Sequence, residues 1–488
     1  MSNTLNLLET NEFSTSDINV NQVQLVTLVD HYTKEIVNFT KIGPSSSIID
    51  GIMKLKKDGI LFERIYNGVI NPEWFGSGKT HVELQAAINA AVKSDTILIR
   101  GKYRCSDQIK INKDLTLLGQ NYINGNDTGD NEGSRIIFND FTNQIANSCI
   151  EAVASLCIKN LVIVGSEIPG KIGVNLIGIP NGTEVPIGSL TLDSSVIQSF
   201  EIGVKVTAAY YNRFVNSYIG YCPSCLVLDK CYNAFASSLS IRAGYYSKKD
   251  IDNGDLNDGI VLLNNSNLTM FGGSVESFSN AGITLYSSSR ISCFGVYFEG
   301  EKATDKTSCV RIMDNNCRST TISCHAYLVL KGTSSFVHAL PTVTSAHIYS
   351  KNNHFNYSND WYVSVYKFES TDFAGYNIDI SGDNYQSNLI AGSSYTSITS
   401  SLLKKGKGMV KIVYPSGHEL AGIQLTNLNT VSPYQYNVVT GAENGMITTF
   451  SNSGYPGDDP AGLYGIIGYV PYTAVYENGT WKKIPKLN

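Results

Sequence analysis

The chain has 488 residues, of which 16% are charged, and its 42 acidic and 37 basic side chains give a net charge of −5. This balance argues against a nucleic-acid-binding protein, because no excess of Lys and Arg is present to neutralise phosphates. The chain is longer than one ordinary compact domain, and its 43 Gly and 29 Tyr favour strands and turns over helices.

The N-terminal region, residues 1–70, contains two strand-like segments, QLVTLVD and EIVNFTK. Its first residues, MSNTLNLLETNEFSTSD, lack a basic region followed by an apolar run, so we expect no signal peptide. Nowhere does the sequence approach the ~20 consecutive apolar residues of a membrane helix, and we expect no membrane insertion.

One helix is predicted, from Thr80 to Lys93. The segment Thr80-His81-Val82-Glu83 has the spacing of a capping box, in which the first and fourth side chains bond to each other's backbone N–H. Leu84, Ala87, Ile88 and Ala91 then mark one apolar face. Short strand-like segments follow the helix, and we expect it to cover the open end of the structure that they build.

The middle of the chain repeats itself in two rows of apolar residues. The first row is Ile197, Ile219, Ile241, Val275, Phe298 and Cys324, and the second is Val204, Leu226, Ile260, Ile283 and Val310. The residues of the two rows recur at similar intervals along the sequence, and both rows contain one longer interval at the third coil. Strands this short cannot bury an inner face alone, but successive coils of a solenoid can. Because leucine-rich and helical repeat patterns are absent, a parallel β-helix is the predicted fold.

The extra residues of the longer coils fall between the two rows, at the same turn. They are AGYYSKKDIDNGDLND in one coil and GEKATDKTS in another, so we expect the insertions Tyr245–Asp258 and Gly300–Ser308 to wall a groove.

A column of polar residues directly follows the first row: Gln198, Gly220, Arg242, Glu276, Glu299 and His325. Alternation along a strand turns these side chains outward when the row residues point inward. Adjacent parallel strands lie about 4.8 Å apart, and two carboxylates at that spacing tend to share a proton. An acid beside an ionised carboxylate is the equipment of glycoside hydrolysis, so Glu276 and Glu299 are the predicted catalytic residues.

Six further residues are predicted to bind substrate, namely Arg242, Tyr245, Tyr246, Asp255, Asp258 and His325. A purely structural interpretation stays open, in which Glu276 pairs with Arg242, Glu299 pairs with Lys302 or Arg311, and the column is a solvated charge ladder. Tyr210 and Tyr211 are alternative sugar-contacting aromatics.

No cofactor and no metal is predicted. The acids between Asp250 and Asp258 do not have the spacing of an EF-hand loop, although calcium binding there stays open. Cys222 and Cys225 have a CxxC spacing without the second pair of a zinc ribbon, and the ten Cys are expected to be reduced and buried.

Beyond about residue 350 the rhythm ends. The alternating segments YVSVYKF, MVKIVY and GIIGYV predict a C-terminal all-β domain of sandwich type over residues 351–488.

The segment NPEWFGSGKTHVELQAAINAA, followed by ILIRGKYRCSDQIKINKDLTLLGQN, resembles the opening of the pectate-lyase-like right-handed β-helices of bacteriophage tailspikes. The resemblance covers about Asn71 to Leu340 and includes GVYFEG in a later coil. The chain departs from the family at the Gly-Asp-Gly-x-x-Asp-Asp stretch, where it has GSGKTHVE.

The resemblance implies a tailspike that depolymerises a bacterial surface polysaccharide, such as a capsule, exopolysaccharide or O-antigen. It implies a homotrimer located in the virion, with residues 1–70 joining the phage tail or baseplate, residues 71–350 forming the β-helix, and residues 351–488 serving trimerisation or carbohydrate binding. An endo-glycosidase is the first expectation. A polysaccharide lyase and a non-catalytic receptor-binding fibre or adhesin are the alternatives.

Overall fold

The protein is described from a computed structural model. It covers residues 8–44, 50–120, 133–139, 141–178, 180–181, 185–186, 188–244, 257–300, 307–328 and 335–357, and then 364–368, 376–387, 396–401, 422–425, 447–452, 470–477 and 480–484.

The N-terminal region forms a small antiparallel sheet with a core of its own. A 3₁₀ helix, Phe13–Thr15, precedes four strands whose spatial order is Leu25–Val29, Ile36–Pro44, Ile60–Arg64 and Lys54–Lys57. Phe13, Leu28, Phe39 and Phe62 fill the core of this sheet.

The predicted helix is present and covers the first coils, but it is shorter than expected. After a 3₁₀ helix, Pro72–Phe75, the α-helix His81–Ala90 begins with the capping box of Thr80 and Glu83 and buries Leu84, Ala87 and Ile88. The prediction of a helix to Lys93 was wrong by three residues. The chain turns at Ala91, where the Asp95 carboxylate accepts a 2.7 Å hydrogen bond from the Val92 N–H.

Three long parallel sheets then wind around a common apolar interior, which confirms the parallel β-helix. We name them sheets A, B and C in the order in which each coil visits them. Sheet A contains Lys102–Arg104, Arg135–Ile137, the first parts of Val162–Ile177 and Val196–Thr207, Tyr218–Cys222, Ser240–Ala243, Ser274–Phe278, Tyr297–Gly300, His325–Leu328, His354–Tyr357 and the last part of Asn377–Ser387.

Sheet B contains Ile109–Ile111, Ser148–Ala152, the second parts of Val162–Ile177 and Val196–Thr207, Ser224–Asp229, Asp258–Leu263, Ala281–Leu285, Ser308–Ile312, Ser335–Ala339, Ser364–Phe368 and Gly422–Leu425. Sheet C contains Val69–Ile70, Thr96–Ile99, Leu115–Gly119, Leu156–Lys159, Leu190–Asp193, Arg213–Val215, Ala234–Ser237, Asn267–Phe271, Arg290–Phe294, Cys317–Ile322, Ala346–Lys351 and the first part of Asn377–Ser387.

Both predicted rows stack as inward residues of neighbouring coils. Ile197, Ile219, Ile241, Val275 and Phe298 are in register in sheet A, and all have no solvent exposure. In sheet B the register runs Val204, Leu226, Ile260, Ile283 and Val310. The last member of the first row was wrong, because Ala326, not Cys324, lies opposite Phe298.

Parallel pairing continues past residue 350, as far as Gly422–Leu425. Two antiparallel strand pairs also occur among the described residues of this region and of the earlier coils. One joins Pro180–Asn181 to Val185–Pro186, and the other joins Asn377–Ser387 to Thr396–Ser401. The last described strands, Ile447–Asn452, Val470–Glu477 and Thr480–Ile484, form a three-stranded antiparallel sheet. Among the described residues, no helix has the length and apolar character needed to cross a membrane.

Candidate functional site

The outward face of sheet A brings three of the predicted site residues together on three successive coils. Arg242 is in register with Glu276, and Glu276 with Glu299. Adjacent strands lie about 4.8 Å apart, so Glu276 has Arg242 on one side and Glu299 on the other. Arg242 is exposed, whereas Glu276 and Glu299 are half-buried.

A β-bulge follows the first glutamate and distinguishes the two coils. Ser277, with φ 58°, is an extra residue, since Phe278 rather than Ser277 pairs with Gly300 after Glu299. Bulges bend a strand and redirect the side chains beside them. The two glutamates are therefore in register, but the backbone follows a different path after Glu276 than after Glu299.

The Tyr297 hydroxyl fixes the Glu299 carboxylate, donating a hydrogen bond of 2.7 Å to Glu299 Oε2. Tyr297 lies two residues before Glu299 on the same strand, so both side chains are on one face. Burial, this hydrogen bond and the nearby charges of Glu299 and Glu276 raise the pKa of Tyr297 well above its usual range. The phenol therefore stays protonated and remains a donor.

Arg242 is turned toward the preceding coil. Its guanidinium carbon lies 5.2 Å from the centre of the Tyr221 ring, and its Nη1 donates a long hydrogen bond of 3.4 Å to the Tyr221 hydroxyl. The Tyr218 ring packs edge-on against Tyr221, and Gly220 leaves room for it, because a Cβ at Gly220 would lie only 2.3 Å from the Tyr218 hydroxyl oxygen. The result is a cation on an aromatic surface, one strand away from Glu276.

The charge-ladder interpretation requires ion pairs that the described part of the chain does not contain. No ion pair within it joins Glu276 to Arg242 or Glu299 to Arg311. Arg311 instead donates to the side-chain and backbone oxygens of Asn280, on sheet B. Lys302, the other proposed partner of Glu299, lies outside the described residues.

His325 does not occupy the column of the glutamates, and that expectation was wrong by two residues. His325 is in register with Tyr297, and Tyr327 lies beside Glu299. The His325 ring contacts the rings of Tyr297 and His354 edge-on, with centroids 5.5 and 4.9 Å away. Burial, with a smaller effect of His354, lowers the pKa of His325. The imidazole therefore extends the aromatic surface along sheet A.

Asp258 begins the strand of sheet B that follows the first insertion. Its Oδ1 accepts three hydrogen bonds from the next coil: from Asn280 Nδ2 at 2.8 Å, the Ala281 N–H at 3.1 Å and Thr284 Oγ1 at 3.1 Å. Burial raises the pKa of this carboxyl. The structure thus uses Asp258 to join two coils, and from these contacts we expect a structural role rather than the predicted binding of substrate.

The remaining predicted substrate-binding residues, Tyr245, Tyr246 and Asp255, lie outside the described residues. The described flanks, Gly244 with Asn257 and Gly300 with Thr307, place both insertions at the turn from sheet A to sheet B. Tyr210 and Tyr211 lie at another turn, from sheet B to sheet C.

The CxxC pair is part of the core. Cys222 and Cys225 are buried, and Cys225 Sγ donates to the Arg242 carbonyl at 3.2 Å. Burial raises the pKa of the Cys225 thiol well above its usual range, so this sulfur is a structural thiol rather than a nucleophile. All ten Cys are free and, apart from Cys157, buried. No group of three or more His, Cys, Asp or Glu within the described residues is placed to hold a metal.

The sequence interpretation missed Tyr297, Tyr327 and His354, which line the same face as the glutamates. The available signal was the period of two along a strand, since a residue two positions before a proposed outward glutamate must also point outward.

No protein-family model matches the chain, and no curated protein sequence does. Solved structures with similar folds include the enzymatically active domain of tailspike protein 2 of bacteriophage CBA120. Identity is 13% over 98% of this chain and 79% of that domain, with a TM-score of 0.46. Another is the tailspike protein gp49 of the Acinetobacter baumannii bacteriophage Fri1, a capsular polysaccharide depolymerase, with 9% identity, coverage of 98% and 91%, and a TM-score of 0.44.

The A-module of the Azotobacter vinelandii mannuronan C-5 epimerase AlgE4 is also similar, with 12% identity over 66% of this chain and all of that module, and a TM-score of 0.42. The assignment of the β-helix rests on the strand register of this chain.

Proposed function

We propose that the protein is a polysaccharide depolymerase of a phage tailspike, which cleaves glycosidic bonds of a bacterial surface polysaccharide on the outward face of sheet A. The observation that carries the proposal is the register of Glu276 with Glu299, together with the Tyr297 hydrogen bond to Glu299 Oε2. The sequence resemblance of Asn71 to Leu340 to tailspike β-helices supports the biological setting.

Paired carboxylates match the chemistry of glycoside hydrolysis. One carboxylic acid protonates the departing glycosidic oxygen, while the other carboxylate activates water or attacks the anomeric carbon. Separations of about 5–5.5 Å favour retention of configuration and about 6.5–9.5 Å favour inversion, and side-chain rotamers on adjacent strands span this range.

The turn from sheet A to sheet B supplies the setting for a long substrate. The insertions begin directly after the strands Ser240–Ala243 and Tyr297–Gly300, on either side of the coil that holds Glu276. Insertions at the rim of a rigid scaffold are where binding residues concentrate. Aromatic and polar side chains, including Tyr221, Tyr297, His325 and Tyr327, continue the same face along the axis.

The test is cleavage of purified capsule, exopolysaccharide and O-antigen from candidate hosts. We expect new reducing ends and a fall in polymer size with one of them. Binding of a polysaccharide without any cleavage would instead establish the receptor-binding fibre.

Arg242 favours a second candidate, a polysaccharide lyase. β-Elimination needs a group that neutralises the carboxylate of a uronic acid, together with a proton acceptor and donor. Arg242 lies on the same column as the glutamates, and Tyr297 carries a phenolic O–H. A lyase would release products with a new C=C bond, which absorb in the ultraviolet, whereas a hydrolase would not.

For assembly we propose a homotrimer, with residues 1–70 attached to the phage tail and residues 351–488 contributing to trimerisation or carbohydrate binding. Light scattering at micromolar concentration should give three times the chain mass. A stable monomer would contradict this proposal.

A further inference from the structure

We infer that Tyr297 divides the roles of the two glutamates, so that Glu299 acts as the ionised base or nucleophile and Glu276 as the acid. The inference rests on the proposed function, and it deepens that function by naming the role of each carboxylate.

The first step is the direction of the hydrogen bond. The Tyr297 hydroxyl donates to Glu299 Oε2 at 2.7 Å, and a donor on a carboxylate favours its ionised form. The raised pKa of Tyr297 keeps this donor protonated across the neutral range. The hydrogen bond therefore positions Glu299 for the role of base or nucleophile.

The second step is the contrast with Glu276. Among the described residues, the Glu276 carboxyl group has no hydrogen-bond or ion-pair partner, while Arg242, the cation nearest along the column, contacts Tyr221 of the preceding coil. Glu299, already bound by the Tyr297 hydroxyl, lies on the next strand. Of the two carboxyl groups, the one on Glu276 is therefore the one available to donate a proton to the glycosidic oxygen.

The resulting reaction balances without any further reactant. Glu276 gives its proton to the glycosidic oxygen as the bond between that oxygen and the anomeric carbon breaks. In the single-step course, water forms the new bond to carbon and passes a proton to Glu299, and solvent then carries that proton back to Glu276. In the two-step course, Glu299 bonds to the carbon first, and water then releases the sugar while returning a proton to Glu276. The net change in both courses is hydrolysis of one glycosidic bond.

Tyr297 is a positioning residue in this scheme, so its test is a pH profile rather than a loss of rate. In Tyr297→Phe, the acidic limb of the kcat/KM profile should move to higher pH by about one unit, because one hydrogen bond to a charged group is lost. The alkaline limb, which reports the acid, should stay in place. Tyr349→Phe, the matched control at a half-buried tyrosine of sheet C, should leave both limbs where they are.

A second measurement separates the two carboxylates directly. With an aryl glycoside of the repeating unit, whose leaving group needs no proton, Glu276→Gln should recover at least about tenfold of its lost activity relative to the polysaccharide. Glu299→Gln should recover none. An unmoved acidic limb in Tyr297→Phe, a shift of its alkaline limb, or recovery of Glu299→Gln instead of Glu276→Gln would overturn the assignment. The proposed function itself fails by a different result, namely parental cleavage of the polysaccharide by both Gln variants.

Discussion

Asp258 and Glu276 are acids at opposite ends of the turn that joins sheets A and B, in neighbouring coils, and the fold treats them differently. Asp258 Oδ1 accepts three hydrogen bonds from the next coil. Glu276 accepts none from the described residues, and it stands beside Glu299 on the outer face. A carboxyl group whose hydrogen bonds are made within the fold joins parts of the fold, whereas one without them is available to a ligand.

Two arginines, Arg64 and Arg242, differ in the same way in burial and in partners. The Arg64 side chain is 1% exposed, pairs with Asp30 at 2.9 Å and stacks on the Trp74 ring, 3.7 Å from its centre. It thereby joins the N-terminal sheet to the cap of the β-helix. Arg242 is exposed, and its guanidinium lies against the ring and hydroxyl of Tyr221. Arg64 is therefore expected to act on stability and Arg242 on substrate.

The largest effect on stability should come from breaking the Arg64 pair. Asp30→Ala leaves a buried guanidinium without its carboxylate, which should lower the free energy of unfolding by about 3–5 kcal/mol. Urea unfolding measures this change. The matched control is Lys34→Ala at the exposed pair with Glu9, where the loss should be much smaller because solvent screens an exposed pair. Equal losses in the two variants would contradict the contrast.

The next effect concerns Asp258. In Asp258→Ala the Ala281 N–H loses its acceptor, and the free energy of unfolding should fall by about 1–3 kcal/mol. Cleavage by the folded variant should stay within about threefold of the parental rate. A complete loss of cleavage at full stability would place Asp258 in the binding site instead.

The ionisation of Asp258 should also make the free energy of unfolding depend on pH. Because burial raises its pKa, the folded protein holds this proton more tightly than the unfolded chain. Ionisation of this carboxyl therefore lowers the free energy of unfolding as pH rises above the unfolded pKa of about 4. The full loss of stability is reached above the folded pKa. Asp258→Asn keeps an oxygen acceptor and removes the charge. Unfolding measured at several pH values should show the variant gaining stability relative to the parent as pH rises, and a difference independent of pH would contradict this.

Arg242→Gln should affect substrate rather than stability. If the polysaccharide is acidic, kcat/KM should fall about tenfold, as expected for one lost hydrogen bond to a charged group. The free energy of unfolding should change by less than about 0.5 kcal/mol. The control is Arg213→Gln, an exposed arginine of sheet C. An equal loss in both variants would show a general charge effect.

The smallest effect is a gain in stability at the turn from sheet B to sheet C. Tyr211 is 67% exposed and has φ 55°. At the equivalent position of the next coil lies Asn233, with φ 56°. Asn adopts this left-handed region more readily than Tyr, so Tyr211→Asn should raise the free energy of unfolding by up to about 1 kcal/mol. A loss instead would mean that the ring contact with Tyr210, whose centroid is 6.0 Å away, outweighs the strain.

The sequence predicted the coils because inward apolar residues recur with one rhythm, and the same rhythm placed Arg242, Glu276 and Glu299 in one column. It failed at His325 for a physical reason. Val296 and Phe298 are both buried in one coil, as are Cys324 and Ala326 in the next. A period of two fits either register. The Tyr297–Glu299 hydrogen bond was also beyond sequence analysis, because alternation gives the face of a side chain but not the direction of its hydroxyl.

The most direct test compares Glu276→Gln and Glu299→Gln with Asp258→Asn in release of reducing ends from the cognate polysaccharide. The two Glu variants should lose at least about 100-fold in rate, as expected when a general acid or base is removed, while their free energies of unfolding stay within about 0.5 kcal/mol of the parental value. Asp258→Asn should cleave at nearly the parental rate. Parental cleavage by both Glu variants would show that the repeated glutamates belong to the architecture of the coils and not to the chemistry.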